Sequence, residues 1–359
     1  MVESGAEAEL VEANKVRNID PDQKYFVYAE RACDRTIHGQ TADSAAIEKC
    51  TPIRKVPVGK KAKLLVMSDG GDNLTDFAQS FRGSTLDFGR LRKALESMGN
   101  LFEGLKKLHD AGYVHFDIKP DNTVINSEFK TRFIDFGLTR SHLWKLPDPR
   151  YDLDYFAWPF QLHYLSDAFR EGFHRNSRIV DQGRYLESAL YTHLMKSREH
   201  KPDARDLGMI SRREVTNGQV EYNIPPNGFL PSEIPLIQSF RDNPKKFVSD
   251  IFVSTDVYSL GRTLAIFYYD VTEHKPIEGL TQISHTRHPE LVEFSLLWYT
   301  MTEMMSHVIQ AKRWTLQQSH DYYNGTILPS ISKYFPKNGA KRRGTRRKKN
   351  GGRTRRHRA

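Results

Sequence analysis

Two short stretches carry residue types that together could do chemistry. Residues 112–126 read GYVHFDIKPDNTVIN, and residues 133–140 read FIDFGLTR. They hold His115, Asp117, Lys119 and Asn122, then Asp135, Phe136 and Gly137, with 18 residues from Asp117 to Asp135 and 13 from Asn122 to Asp135. Moving a phosphoryl group from a nucleotide to a hydroxyl calls for this set. One carboxylate orients the hydroxyl and takes its proton, an ammonium offsets charge on the moving group, and an amide with a second carboxylate holds magnesium. The bland reading of the set is a surface loop of scattered charges, and for His115 alone it is a core histidine.

The pattern H-x-D-x-K-x-x-N followed by D-F-G resembles the eukaryotic-type protein kinase family in order and spacing. The resemblance implies an α+β fold with two lobes, a β-rich small one and a mainly helical large one, and it implies ATP as donor and a protein as acceptor. Position by position, Asp117 is then the catalytic carboxylate. Lys119 contacts the transferring phosphate and favours a Ser or Thr hydroxyl, Asn122 and Asp135 ligate magnesium, and His115 packs beneath the D-F-G turn. DVYSLG at 256–261 is similar to the start of the long buried helix of the large lobe, which makes Asp256 the anchor of the catalytic-loop backbone. AKRWTLQQ places Arg313 opposite the residue that closes the activation segment. With AWPF at 157–160, that residue is Gln161, where the family has a glutamate; its amide can still accept a hydrogen bond.

Upstream, KLLVMSDGGDNL is similar to the last small-lobe strand and the hinge, which puts Met67 at the back of an adenine pocket and Ser68, Asp69 and Gly70 along it. AEAELVEANKVRNIDP reads as an amphipathic helix resembling the small-lobe regulatory helix, with Glu9 the best candidate for its ion-pairing glutamate and Glu7 and Glu12 still open. Only 24 residues precede Tyr25, and nothing matches the G-x-G-x-x-G loop or the V-A-I-K lysine, so the resemblance implies an incomplete small lobe over 1–70. Lys55, Lys60, Lys61 and Lys63 read as solvated charges rather than substitutes for that lysine. Three readings follow: a coding start placed too far downstream, a pseudokinase or binding scaffold with little turnover, or an unorthodox active enzyme. Small-molecule kinases of the aminoglycoside or choline type share an H-x-D-x-x-x-x-N loop, but Lys119, Gly137 and DVYSLG point away from them. Phe116 stands where many kinases carry an arginine that clamps a phosphorylated activation segment.

These residues need elements to hold them. Leu91, Leu95, Met98, Leu101, Leu105 and Leu108 fall on one face of a single helix leading into GYVHFD. Val257, Leu260, Leu264 and Phe267 make a second apolar face, Leu296, Met301, Met304 and Val308 a third, and Leu186, Leu190 and Leu194 a helix near 184–196. Tyr25 to Tyr28, Lys63 to Met67, and short runs about Val114, Thr123 to Ile125 and Arg132 to Ile134 read as strands. The large lobe then runs over 71–330 with an insertion at about 162–248.

With 359 residues, 38% apolar and 27% charged, the chain has the composition of a folded globular protein. Its net charge of +10 is local: residues 337–359 hold 12 of the 54 Lys and Arg and none of the 44 acids, so the remainder is close to neutral. That tail reads as disordered, available for nucleic acid or an anionic surface. The insertion and the tail are similar to features of the divergent kinases of large DNA viruses, which implies a viral source, in the host cell or the virion. Two cysteines exclude a disulfide framework, and no apolar run is long enough to span a membrane, so an intracellular setting, cytoplasmic or nuclear, is expected.

Overall fold

A computed structural model describes residues 2–36, 61–82, 86–142, 211–214, 220–223, 230–273, 276–277, 282–283, 288–307 and 309–335, and within 155–193 all but 156, 177, 180, 184, 187 and 191–192. The basic tail, Lys55, Lys60, Leu194 and Val308 lie outside these residues. The fold is mixed α+β, mostly helical with small antiparallel sheets, as expected.

The first helix, Val2–Ile19, buries Ala13 and Val16 and packs on a two-stranded sheet of Ala29–Thr36 and Lys61–Met67. Arg17 fastens the helix by donating to the carbonyls of Ala29 and Glu30 at 3.2 and 2.6 Å. The strand expected at Tyr25 to Tyr28 is displaced: pairing begins at Ala29, and 25–28 lies alongside a different hairpin. Val27 N–H donates to Phe133 C=O, and Phe133 N–H donates to Tyr25 C=O, each at 2.9 Å.

The single helix expected over 91–108 is two, Phe88–Ser97 and Gly99–Asp110. The break has a cause far along the chain. The hydroxyl of buried Tyr323 donates to the carbonyls of Leu95 and Glu96 at 2.7 and 3.0 Å, intruding on the helical ladder where it should continue. Both halves still present Leu91, Leu95, Leu101, Leu105 and Leu108 to one core.

That core also holds Val257, Leu260, Leu264 and Phe267 with Trp298, Met301 and Tyr323. A second core gathers Val114, Phe116, Trp158, Phe160 and Leu162 with Leu186, Leu190, Ile237, Phe247 and Phe252. The helix Pro244–Thr272 serves both: its first half faces the second core and its second half the first. It starts well before the DVYSLG segment, capped by Asn243, whose side chain accepts from Lys246 N–H at 3.0 Å. The chain through 114–118 runs between the two cores, with Val114 and Phe116 in one and Ile118 in the other.

Candidate active site

Asp256 sits where the two cores meet and is fully buried. Its carboxylate accepts the backbone N–H groups of His115 and Phe116, each at 2.8 Å, and lies 3.0 Å from His109 Nε2. A carboxylate stripped of water needs such donors. In return it fixes the loop backbone, with Phe116 in the left-handed region at φ 68°. This is the contact implied for Asp256 by the resemblance.

Beyond that anchor the loop presents three polar side chains to one another. Lys119 Nζ donates to both oxygens of Asp117, at 3.1 and 2.9 Å, and Asn122 Nδ2 donates to Asp117 Oδ2 at 2.7 Å and to its backbone carbonyl at 3.0 Å. Pro120 opens a short 3₁₀ turn over Pro120–Asn122 that brings Asn122 back over Asp117. Burial works to lower the Lys119 pKa, but its bonds and charge contacts with Asp117 and Tyr155 prevail, so the net direction is up.

Asp135 arrives from the other side of a hairpin. Strands Thr123–Ile125 and Thr131–Phe133 pair in register, Thr123 opposite Phe133, and Ile134 N–H donates to Asn122 C=O at 3.0 Å. Asn122 and Asp135 therefore flank the same end of that hairpin. Asp135 is itself left-handed at φ 62°, and its Oδ1 accepts Gly137 N–H at 3.3 Å. His115 lies below this turn, fully buried, with its ring 5.4 Å from Phe133 and 5.1 Å from Phe136; Phe136 in turn meets Phe26 edge-on at 5.6 Å. Burial holds the His115 imidazole below its usual pKa, against the charges of Asp256, Asp117 and Asp135 around it.

Glu9 faces Asp135. Burial, and then the Asp135 charge, push its carboxyl above the usual carboxylate range. The ion pair between the first helix and the sheet is made two residues away instead, by Glu7 with Lys63. Lys63 is thus a strand residue engaged by the helix rather than a solvated loop charge.

The segment 67–70 borders the hairpin. Gly71 turns the chain at φ 87°, where a Cβ would come within 2.2 Å of Ile125 C=O, and one on Gly70 would sit 2.8 Å from Val124 Cγ2. Gly71 N–H donates to Asp69 Oδ1 at 2.8 Å, Ser68 Oγ to Gln23 Oε1 at 2.5 Å, and Arg132 Nη2 to Asp69 C=O at 3.2 Å. Met67 is 44% exposed, unusual for a large apolar side chain at the end of a strand.

The structure thus brings Lys119 and Asn122 onto Asp117 and puts Glu9 within reach of the Asp135 charge, with Met67, Ser68, Asp69 and Gly70 on a neighbouring edge. Val124, Arg132 and Tyr155 are additions that spacing did not reveal. Val124 and Arg132 are cross-strand partners under the 67–70 segment. Tyr155 places its ring 5.8 Å from Lys119 Nζ, and burial raises its pKa. Its only sequence signal is its position between the D-F-G turn and AWPF.

Among the described residues no group of three or more His, Cys, Asp or Glu could hold a metal unaided. Asn122 turns its amide nitrogen to Asp117, which aims its carbonyl oxygen elsewhere, so Asn122 and Asp135 offer oxygen donors only. That set suits a hard cation that keeps water and phosphate oxygens as its other ligands.

Residues 61–149 match the family model described as protein kinase domain. Over 66 residues the chain is 35% identical to mitogen-activated protein kinase 12 of Mus musculus, covering 18% of this chain and 17% of that protein. Over 48 residues it is 44% identical to putative mitogen-activated protein kinase 14C of Drosophila melanogaster, covering 13% and 14%. Over 99 residues it is 32% identical to mitogen-activated protein kinase kinase 9 of Arabidopsis thaliana, covering 27% and 29%. The chain spans less than a third of the length of these curated relatives.

Proposed function

We propose that this member of the eukaryotic-type protein kinase family transfers the γ-phosphate of ATP to a Ser or Thr hydroxyl of a protein. The observation that carries the reading is the contact set of Asp117 with Lys119 and Asn122, on a loop whose backbone is fixed by Asp256. Asp117 Oδ accepts the substrate hydroxyl proton and directs its oxygen to the phosphorus. Lys119, held protonated by Asp117, stands two residues on to offset charge on the moving phosphoryl oxygens. Asn122 Oδ1 and the Asp135 carboxylate would hold magnesium, which when bound neutralises charge on the nucleotide phosphates. The backbone of 68–70, with Met67 and Val124, would hold the adenine.

A second reading is binding with little turnover. It is favoured by Glu9, whose carboxyl is pushed up by burial and then by the like charge of Asp135, one of the proposed metal ligands.

Transfer of labelled γ-phosphate to a basic protein, compared between wild type and Asp117→Asn, tests both readings alongside thermal shift with magnesium and ATP. Turnover lost in Asp117→Asn supports the enzyme. A nucleotide-dependent shift without turnover supports the binding module, and neither signal overturns both.

A further inference from the structure

Arg313 and Glu233 are both buried, and Gln161 stands between them. Gln161 Oε1 accepts from Arg313 Nη2 at 2.9 Å, while its Nε2 donates to Glu233 Oε2 at 3.2 Å. Glu233 also accepts the Tyr164 hydroxyl at 2.6 Å and Gln310 N–H at 2.9 Å. Arg313 spends its other donors on Ser254 Oγ at 2.7 Å and His307 C=O at 2.9 and 3.1 Å, with the Tyr258 ring 5.0 Å away. Burial lowers the Arg313 pKa to about 10 and raises that of Glu233; the opposite charge of each counters the other's shift, and Glu233 is further held toward its charged form by the bonds from Tyr164, Gln161 and Gln310. A guanidinium taken out of water needs such a counter-charge, and removing one member of a buried pair is far costlier than never building it.

Gln161 ends a segment that touches the catalytic loop directly. Trp158 Nε1 donates to Phe116 C=O at 2.9 Å, and Ala157 C=O accepts Ser259 Oγ at 2.6 Å. The position of Gln161 is therefore coupled to the backbone that carries Asp117. Glu233 itself comes from Leu230–Asp242, a helix inside the long region between Gln161 and Asp256.

We infer that Glu233 is a positioning residue for the active site: through the Gln161 amide it supplies the negative charge that balances Arg313, and so it seats the 157–161 segment against the loop of Asp117. The carboxylate expected at 161 has moved to 233, which makes the helix Leu230–Asp242 a working part of the site. The functional half of this inference rests on the phosphotransfer reading; the charge arrangement does not.

The test uses the full chain with Glu233→Gln and with the swap Gln161→Glu/Glu233→Gln, which returns one carboxylate directly to Arg313. Two readouts need no turnover: thermal unfolding, and the indole N–H resonance of Trp158 in ¹⁵N-labelled protein, assigned with Trp158→Phe. Glu233→Gln is expected to lower Tm by roughly 5 °C or more and to shift or broaden the Trp158 resonance, with the swap recovering most of both. If wild type transfers phosphate, Glu233→Gln lowers kcat by roughly tenfold or more and the swap restores it. A Trp158 resonance indifferent to Glu233→Gln, or a swap no better folded than Glu233→Gln, overturns the inference. An inactive wild type with the expected resonance shifts would overturn the phosphotransfer reading alone.

Discussion

Asp256 and Phe116 are joined across 140 residues of sequence by a 2.8 Å hydrogen bond from the Phe116 N–H to the Asp256 carboxylate. Phe116 is a bulky residue in left-handed backbone, a conformation that costs about 1–2 kcal/mol, and a second N–H, that of His115, ends on the same carboxylate. The loop shape is thus sustained by one side chain of the long helix.

Removing that side chain should cost accordingly. Asp256→Ala leaves buried N–H groups unpaired at about 1–3 kcal/mol each, so urea unfolding should show a loss of roughly 2–5 kcal/mol. Asp256→Asn should recover only part, because its amide nitrogen meets a donor at one of the N–H groups. An Asp256→Ala protein as stable as wild type would show that the loop is held by other contacts.

Glu303 gives a pH signature. Its Oε2 is buried without a hydrogen-bond partner, and burial raises its pKa from 4.5 to about 7. The folded chain therefore binds this proton more tightly than the unfolded chain, and the stability linked to it is full below about pH 4.5 and lost as pH rises through 7. Glu303→Gln should flatten this part of the stability-against-pH curve and raise Tm at pH 8. An unchanged slope between pH 5 and 7 in the variant would assign the titration elsewhere.

Asn122 serves two partners at once, its amide on Asp117 and its oxygen toward the proposed metal. Asn122→Ala should raise the magnesium concentration needed for half-maximal phosphate transfer and also lower Tm, since it removes both bonds to Asp117. Asn122→Asp should lower the magnesium requirement relative to Ala while repelling Asp117. A magnesium dependence that is the same in all three proteins would remove Asn122 from the ligand set.

The loop chemistry was legible because it is local. Asp117, Lys119 and Asn122 lie within six positions, so their residue types together pointed to phosphoryl transfer, while their separate roles, like those of Asp256 and Arg313, followed from the resemblance. What escaped was set by distant partners. The break after Ser97 comes from Tyr323, and nothing in a leucine periodicity can announce a hydroxyl intruding from the far end of the chain. Ala29–Thr36 reads AERACDRT, without apolar alternation, and is a strand because Lys61–Met67 pairs with it. Glu7 rather than Glu9 meets Lys63, a choice made by helix rotation that the three candidate glutamates, Glu7, Glu9 and Glu12, leave open. Glu233, in LPSEIP, has no motif about it at all; only the folded chain sets it next to Gln161.

Tyr323 offers a test of the helix break itself. Tyr323→Phe removes the hydroxyl while keeping the ring against Phe102, 5.2 Å away, so the expected loss is one hydrogen-bond partner, about 1 kcal/mol. Amide exchange at Met98 to Leu101 should slow in the variant if the two helices then run together. Unchanged exchange there would mean that Gly99 and its neighbours break the helix without help.

Phe116 bears on control. Its ring lies 5.0 Å from those of Trp158 and Phe252, inside the second core, where a basic side chain would have to be desolvated. The site beside Asp117 is therefore built on apolar contact at the position from which an arginine could grip a phosphorylated activation segment. Phosphatase treatment is expected to leave transfer activity within about twofold, since no new charge-assisted bond at this position depends on a phosphate. Phe116→Arg should destabilise the chain by about 3–5 kcal/mol through lost aromatic packing without creating phosphate dependence. Activity that collapses on dephosphorylation and returns when the segment is phosphorylated again would require a different cation to serve the switch.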